Sequence, residues 1–419
     1  VFVFAVAGTY DVRLTVTCGA VSNTHLKSAY VSVVTALTGK FISVLGNNAN
    51  AGTQAAPWRT FGYAKTQLAP GDTLYVLGND GIFNSVHGNP NNEWVDWNVP
   101  GTVGNPITIK AYPGHDWRMD SDNFTFPGTA VGSAGGSFPP YGNKAPSNFH
   151  GIFEVTASYV TVQDLRVLSS QGIGIKAEGL PGTHLTDVNF YNVYTNKTYK
   201  NAIRIQYVDN VILDGGDFSE GGYDAPWERP VTTLNHPGCV SVKNGVTAIV
   251  TNMKSHNHWG EGIIVGDNQN GCVVHHCEFY DCMSPLLYAN NCENVDFHHN
   301  LMYGSDASTF YADPSLGIYL NCEYLSPADI NRLTNIRVWN NLVVKTGTSF
   351  RLGAGEINPG TGLYPPSSGI EVYNNSFFEA RGGAPKGLVL HANARITGTG
   401  VKVKHNLIYQ TTAGSVVGS

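Results

Sequence analysis

Charge is what this chain has least of: Asp, Glu, Lys and Arg make up 13% of its 419 residues, with a formal net charge of −6. A polymer of phosphates needs clustered cations, and no basic run is present to supply them, so nucleic acid is excluded as a partner. Long apolar runs are also missing. None reaches the roughly 18 residues that a membrane-crossing helix needs. The opening VFVFAVAG is apolar but lacks a charged leading segment and an initiator Met, so it reads as the start of a mature or truncated chain and not as a signal peptide. Cysteine is scarce and odd in number, seven in all. The spacing of Cys272, Cys277, Cys282 and Cys292 is not that of a zinc ribbon. Small buried thiols come first as an explanation, and one or two disulfides between loops second.

What is abundant is Gly (48 residues) and Tyr (21 residues), set among short strand-like triplets. These are Ile173-Gly174-Ile175, Ile203-Arg204-Ile205, Val240-Ser241-Val242, Ile263-Ile264-Val265, Leu286-Leu287-Tyr288, Ile318-Tyr319-Leu320, Phe350-Arg351-Leu352 and Leu388-Val389-Leu390. Most alternate with the period of a half-buried strand. A second series keeps step with them: Val160/Val162, Val211/Leu213, Val295/Phe297, Ile336/Val338, Ile370/Val372 and Val401/Val403. Two strand series recurring at intervals of 23 residues or more predict an all-β parallel β-helix over 41–419, one coil per repeat. In that register Asn300, Asn341, Asn375 and Asn406 share one corner, where stacked amides satisfy each other and the turn backbone. They are scaffold.

Residues 1–36 read differently. The run Gly8-Thr9-Tyr10-Asp11-Val12-Arg13-Leu14-Thr15-Val16 resembles the closing strands of a PKD-type immunoglobulin-like domain, which implies a partial sandwich whose other strands are elsewhere. From 41 onward, Gly46, Gly52-Thr53, Pro57-Trp58, Thr60 and Pro70-Gly71-Asp72-Thr73-Leu74-Tyr75-Val76 resemble the N-terminal portion of secreted right-handed β-helix proteins, many of them polysaccharide lyases. Pro57 to Leu68, with Phe61, Ala64 and Leu68 on one side, predicts a capping helix. The resemblance implies a secreted, extracellular or cell-surface, carbohydrate-active chain. No catalytic set comes with it, because the N-T-D, G-H-G and R-I-K motifs of polygalacturonases and the arginine-centred signatures of pectate lyases are absent.

Candidate chemistry concentrates where coils are shortest. The stretch Ser255-His256-Asn257-His258-Trp259-Gly260-Glu261-Gly262 predicts a corner in which Glu261, Asp281 and His258 do proton chemistry, with carboxylates about one strand spacing (~5 Å) apart. His236, His256, Trp259 and Asp306 would bind sugar around it. Arg351 (with Glu356) and Lys243 (with Asp267) are cations that could neutralise a uronate. Asp214 and Asp217, in an acidic turn with Asp209 and Glu220, are candidate ligands for Ca²⁺. Two functions follow. One is binding and cleavage of an acidic polysaccharide by lyase or hydrolase chemistry. The other is a non-enzymatic filament or adhesive protein, a homo-oligomer in which a neighbouring subunit completes the N-terminal segment.

Overall fold

The computed structural model describes residues 8–19, 21–33, 37–84, 95–120, 151–170, 172–198, 200–222, 238–305, 316–323, 331–380, 386–391, 394–397, 400–409 and 415–418. Within them the chain winds as a parallel β-helix. Strand-to-strand pairing is parallel throughout the coils, forming a 21-stranded sheet and an 11-stranded sheet. The larger sheet is folded along a corner into two faces. We call the strands typified by Val246–Thr251, Asn270–His275 and Glu293–His298 the first face, and Lys254–His256, Glu278–Tyr280 and Leu301–Tyr303 the second. The 11-stranded sheet, including Ile203–Gln206, Val240–Lys243, Ile263–Gly266, Leu287–Asn290, Leu316–Asn321 and Thr348–Leu352, is the third face.

A single left-handed residue turns the first face into the second in nine of the described coils. Asp164, Asn192, Gly215, Asn252, His276, His299, Asn340, Asn374 and His405 hold this place, with φ between 53° and 74°. Asn, Asp and Gly are the residues that tolerate this conformation at least cost. The next position inward carries the asparagine column. Asn341 Oδ1 accepts from Asn300 N–H at 3.1 Å and Asn300 Nδ2 at 3.0 Å, and Asn375 and Asn406 repeat the contact. Met253 and Cys277 stand there in earlier coils.

The second strand series stacks as expected: Val211/Leu213 pairs through Ala248/Val250 and Cys272/Val274 to Val295/Phe297, Ile336/Val338, Ile370/Val372 and Val401/Val403. Two triplets of the first series are out of step. Ile203 pairs with Ile175 and not Ile173, and Ile263 pairs with Leu287 and not Leu286. The first slip is two residues and keeps the same side inward; the second is one and reverses it. Leu286, Leu287 and Tyr288 are all buried, so no alternation marked which one faced the interior.

The interior is one continuous apolar column. Six cysteines lie buried in it as free thiols, and Cys18 is exposed; burial pushes the Cys277 and Cys322 thiols up to about 12. No disulfide forms among the described cysteines. The expected capping helix is reduced to one turn, Phe61–Ala64, capped by Thr60 Oγ1 accepting from Tyr63 N–H. Gly62 weakens any longer helix, and Trp58 is drawn into a bridge with Ile42. What fills this end is an aromatic cluster: Phe61 lies 5.1 Å from Phe83, 5.7 Å from Trp117 and 6.0 Å from Phe153. Gly52, at φ 72°, lets Trp58 in, since a Cβ there would sit 2.4 Å from the indole. Gly8–Cys18 and Val21–Val33 form a separate antiparallel ribbon of two strands.

Candidate functional site

The residues expected to share one corner are divided by the coil geometry. His256 points out from the second face, where its Nε2 meets Asp217 Oδ1 at 2.8 Å and its ring stacks on Tyr280 at 4.4 Å, with Tyr303 next in the column. Asn257 and Asp281 are successive left-handed corners, φ 55° and 52°. Asp281 accepts from Ser305 N–H at 2.8 Å and Ser305 Oγ at 2.6 Å, so its carboxylate is committed to the turn and does not face Glu261 as a proton partner. His258 is fully buried. Gly221 N–H donates to its Nδ1 at 3.0 Å, and Ser255 Oγ, which donates to Gly262 O at 2.7 Å, receives Nε2–H at 2.9 Å. The ring is therefore the neutral Nε2–H tautomer, and desolvation, with His256 nearby, holds its pKa well below the usual range. It fastens the coil interior and reaches no solvent. Continuing the strand pairing that ends at His256–Tyr280, it aligns with Cys282. Trp259 is half-buried. His236 and Asp306 lie outside the described residues.

Asp214 and Asp217 are held apart by their corner. They lie on either side of the Gly215 corner, one on each face; Asp214 accepts from Asn252 Nδ2 at 2.8 Å and Asp217 meets His256. Among the described residues no three of His, Cys, Asp or Glu are placed to hold a metal. Ca²⁺ needs six to eight oxygens, so no chemistry is routed through it.

Glu261 is different. It precedes the strand Ile263–Gly266 on the outer side of the third face: a Cβ on Gly238 would approach both Ile264 Cγ2 (2.1 Å) and Glu261 Oε2 (3.8 Å). Oε2 is buried with no hydrogen-bond partner. Burial raises the carboxyl to about 8, against the lowering influence of its own backbone N–H and Lys243. At neutral pH it holds its proton.

Beside it runs a row one residue per coil. Glu154, Lys176, Arg204, Ser241, Ile264, Tyr288, Tyr319 and Arg351 are in register, each an outward position of its strand. At one end Lys176 pairs with Glu154 at 2.8 Å and Glu178 at 2.5 Å, and Arg204 lies 3.3 Å from Glu178. Lys243, in the adjacent outward row, holds Asp267 at 2.7 Å. At the other end Tyr288 OH donates to Glu323 Oε1 at 2.8 Å, Asn290 Nδ2 to Glu323 Oε2 at 3.2 Å, and Tyr319 stacks on Tyr288 at 5.1 Å. The Arg351 guanidinium lies over the Tyr319 ring at 5.4 Å, and its buried Nε has no hydrogen-bond partner. Of this set, sequence reasoning singled out Glu261, Arg351 and Lys243 and passed over Tyr288, Tyr319, Glu323, Lys176 and Arg204. The signal was present. Arg204, Tyr319 and Arg351 are middle residues of the apolar triplets, and a middle residue between two buried ones must face out.

A family model described as a right-handed β-helix region matches residues 150–322. Among solved structures the fold is similar to that of pectate lyase Pel9A (15% identity, 88% of this chain and 80% of that one, TM-score 0.47). It is also similar to the GH136 lacto-N-biosidase of Eubacterium ramulus (12%, 88% and 68%, TM-score 0.49) and to polygalacturonase from Erwinia carotovora ssp. carotovora (10%, 89% and 99%, TM-score 0.44). No curated protein matches the chain. At these identities the likeness is one of fold, and the solenoid supplies a scaffold on which a site must be argued from its own residues.

Proposed function

We propose that this chain binds and cleaves an acidic polysaccharide laid along the outer row of the third face, with Glu261 as the proton donor. The observation that carries the reading is a buried carboxyl held protonated to about pH 8, beside a row in which successive side chains rise by one strand spacing (~4.8 Å). That spacing is roughly the length of one sugar residue, so a chain running along the helix axis meets one side chain per sugar. Tyr319 and Arg351 supply a ring edge and a guanidinium for a sugar carboxylate.

Hydrolysis fits the charges better than elimination. A lyase needs a base for the proton beside the uronate carboxyl. Lys176 and Lys243 are each engaged in ion pairs with carboxylates, and arginine is a poor base. In the hydrolytic step the Glu261 proton moves to the bridging oxygen as its bond to the sugar carbon breaks, and the Glu323 carboxylate takes a proton from the incoming water. Such polymers are met outside the cell, and secretion belongs to the same reading. Incubation with uronate-containing polysaccharides is expected to release reducing ends without unsaturated products. Activity should fall as pH rises through about 8, and Glu261→Gln should abolish it while leaving binding intact. Unsaturated products, or full activity in Glu261→Gln, would overturn the assignment.

One observation favours the second reading. The N-terminal ribbon leaves Leu14, Val16 and Val21 exposed at 63%, 61% and 74%, and a two-stranded ribbon is marginal unless another surface covers it. If a neighbouring copy supplies that surface, electron microscopy of the intact chain shows filaments; dispersed single particles count against it.

A further inference from the structure

Two consecutive coils carry a histidine pair at the same corner: Val273-Val274-His275-His276-Cys277 and Asp296-Phe297-His298-His299-Asn300. His275 and His298 are the last outward residues of paired first-face strands. His276 and His299 are the left-handed corner residues that follow, φ 54° and 55°. The four imidazoles form a two-by-two array. Along the axis His275 stacks on His298 at 5.0 Å with planes 12° apart, and His276 on His299 at 5.2 Å and 6°. Across each coil the rings are nearly perpendicular and meet through nitrogen, Nδ1 to Nδ1, at 2.7 Å in the first pair and 2.9 Å in the second.

The array differs from the other ring column on this molecule. In the His256–Tyr280–Tyr303 column two carboxylates reach the rings, Asp217 at His256 Nε2 and Glu278 at Tyr303 OH. Here no carboxylate pairs with any of the four rings among the described residues. The four rings are half-buried or exposed, His276 and His299 the more so. Each Nδ1–Nδ1 contact needs one N–H and one lone pair, so each pair holds a single shared proton that a cation can replace.

The separation matters. Two nitrogens bound cis to one ion at about 2.0–2.1 Å lie ~2.9 Å apart at a right angle and ~3.4 Å apart at a tetrahedral angle. The observed 2.7 and 2.9 Å match the right angle. We infer that this corner binds one divalent transition-metal ion of square-planar or octahedral preference, Cu²⁺ or Ni²⁺, through the two Nδ1 atoms of a histidine pair. Among the described residues no three protein ligands converge, so water fills the remaining positions. The second pair lies one coil away, and repulsion between two dications at that distance limits uptake to one ion per array. Neighbours hold the rings: Trp339 stacks on His298 at 4.3 Å, Asn340 Nδ2 meets His299 Nε2 at 3.2 Å, and Thr251 Oγ1 meets His275 Nδ1 at 3.2 Å.

The test is equilibrium dialysis of the intact chain against CuCl₂ at pH 7, with electron paramagnetic resonance of the bound ion. The expected result is one tight Cu²⁺ per chain with two equatorial imidazole nitrogens, and at least a tenfold loss of affinity in the double variant His276→Asn/His299→Asn. Asn occupies this same corner at Asn340 and Asn374, so the variant keeps the turn; its melting temperature reports that directly. Should it fail to fold, His275→Gln/His298→Gln removes the other nitrogen of each pair. Copper uptake unchanged in a folded double variant, or a spectrum without two nitrogens, would overturn the proposal.

Discussion

Glu261 is a carboxyl placed where its charge is poorly tolerated, and this has a thermodynamic signature independent of any activity. Its folded pKa is raised from 4.5 to about 8. Between those values the native chain binds more protons than the unfolded one, so its stability is fullest below pH 4.5 and declines as pH rises through 8. The decline is on the order of 5 kcal/mol for a shift of this size. Glu261→Gln, which cannot ionise, is expected to melt higher than the native chain at pH 8.5 and to differ little near pH 4.5, as read by calorimetry at both pH values. A residue that costs stability and yet keeps its proton is the pattern expected of a functional acid. His258 is the contrast: its two ring nitrogens are both engaged inside the coil, and its imidazole was conspicuous in the sequence only because burial cannot be seen there.

At the scale of the element, the asparagine column does what a single corner residue cannot. Asn341 Oδ1 receives Asn300 N–H and side-chain N–H, while its own Nδ2 donates to Phe297 O at 2.9 Å. Removing it strands three buried groups in neighbouring coils. Asn341→Ala is expected to cost about 2–4 kcal/mol in urea unfolding. Asn340→Ala, one residue away on the solvent side of the same corner, should cost about 1 kcal/mol, the price of forcing Ala into a left-handed turn. Equal losses would mean that the column is not cooperative. This column was readable in advance because asparagine repeats at one place in four coils. The one-residue slip at Leu286-Leu287-Tyr288 was not, because where both sides of a strand are covered the alternation that sets register disappears.

Across the whole molecule the same interior explains cysteine chemistry. Six thiols sit in an apolar column that raises their pKa, and one is exposed. A thiol reagent is expected to count one reactive cysteine in the native chain and seven in guanidinium, with no reductant needed; two or more reacting at once in the native state would mean that the column opens. The row that we propose binds polysaccharide, on the third face, and the histidine array, at the corner of the first and second, lie on different sides of the same coils. No helix among the described residues is long and apolar enough to cross a membrane.

The sequence by itself determined the parallel coils, the inward residues of the first face and the asparagine corner, because those follow from local alternation and from repetition at one spacing. Which polar residues meet was decided only by the wound structure. Two residues only two apart in sequence, His256 and His258, go to opposite sides of the wall, while Tyr288, Glu323 and Arg351, drawn from separate coils, come to one surface. Coil length varies with each insertion, so lateral neighbours are set by hydrogen bonding between strands and not by a countable interval. That is why the proton donor could be named from the chain, and its surroundings could not.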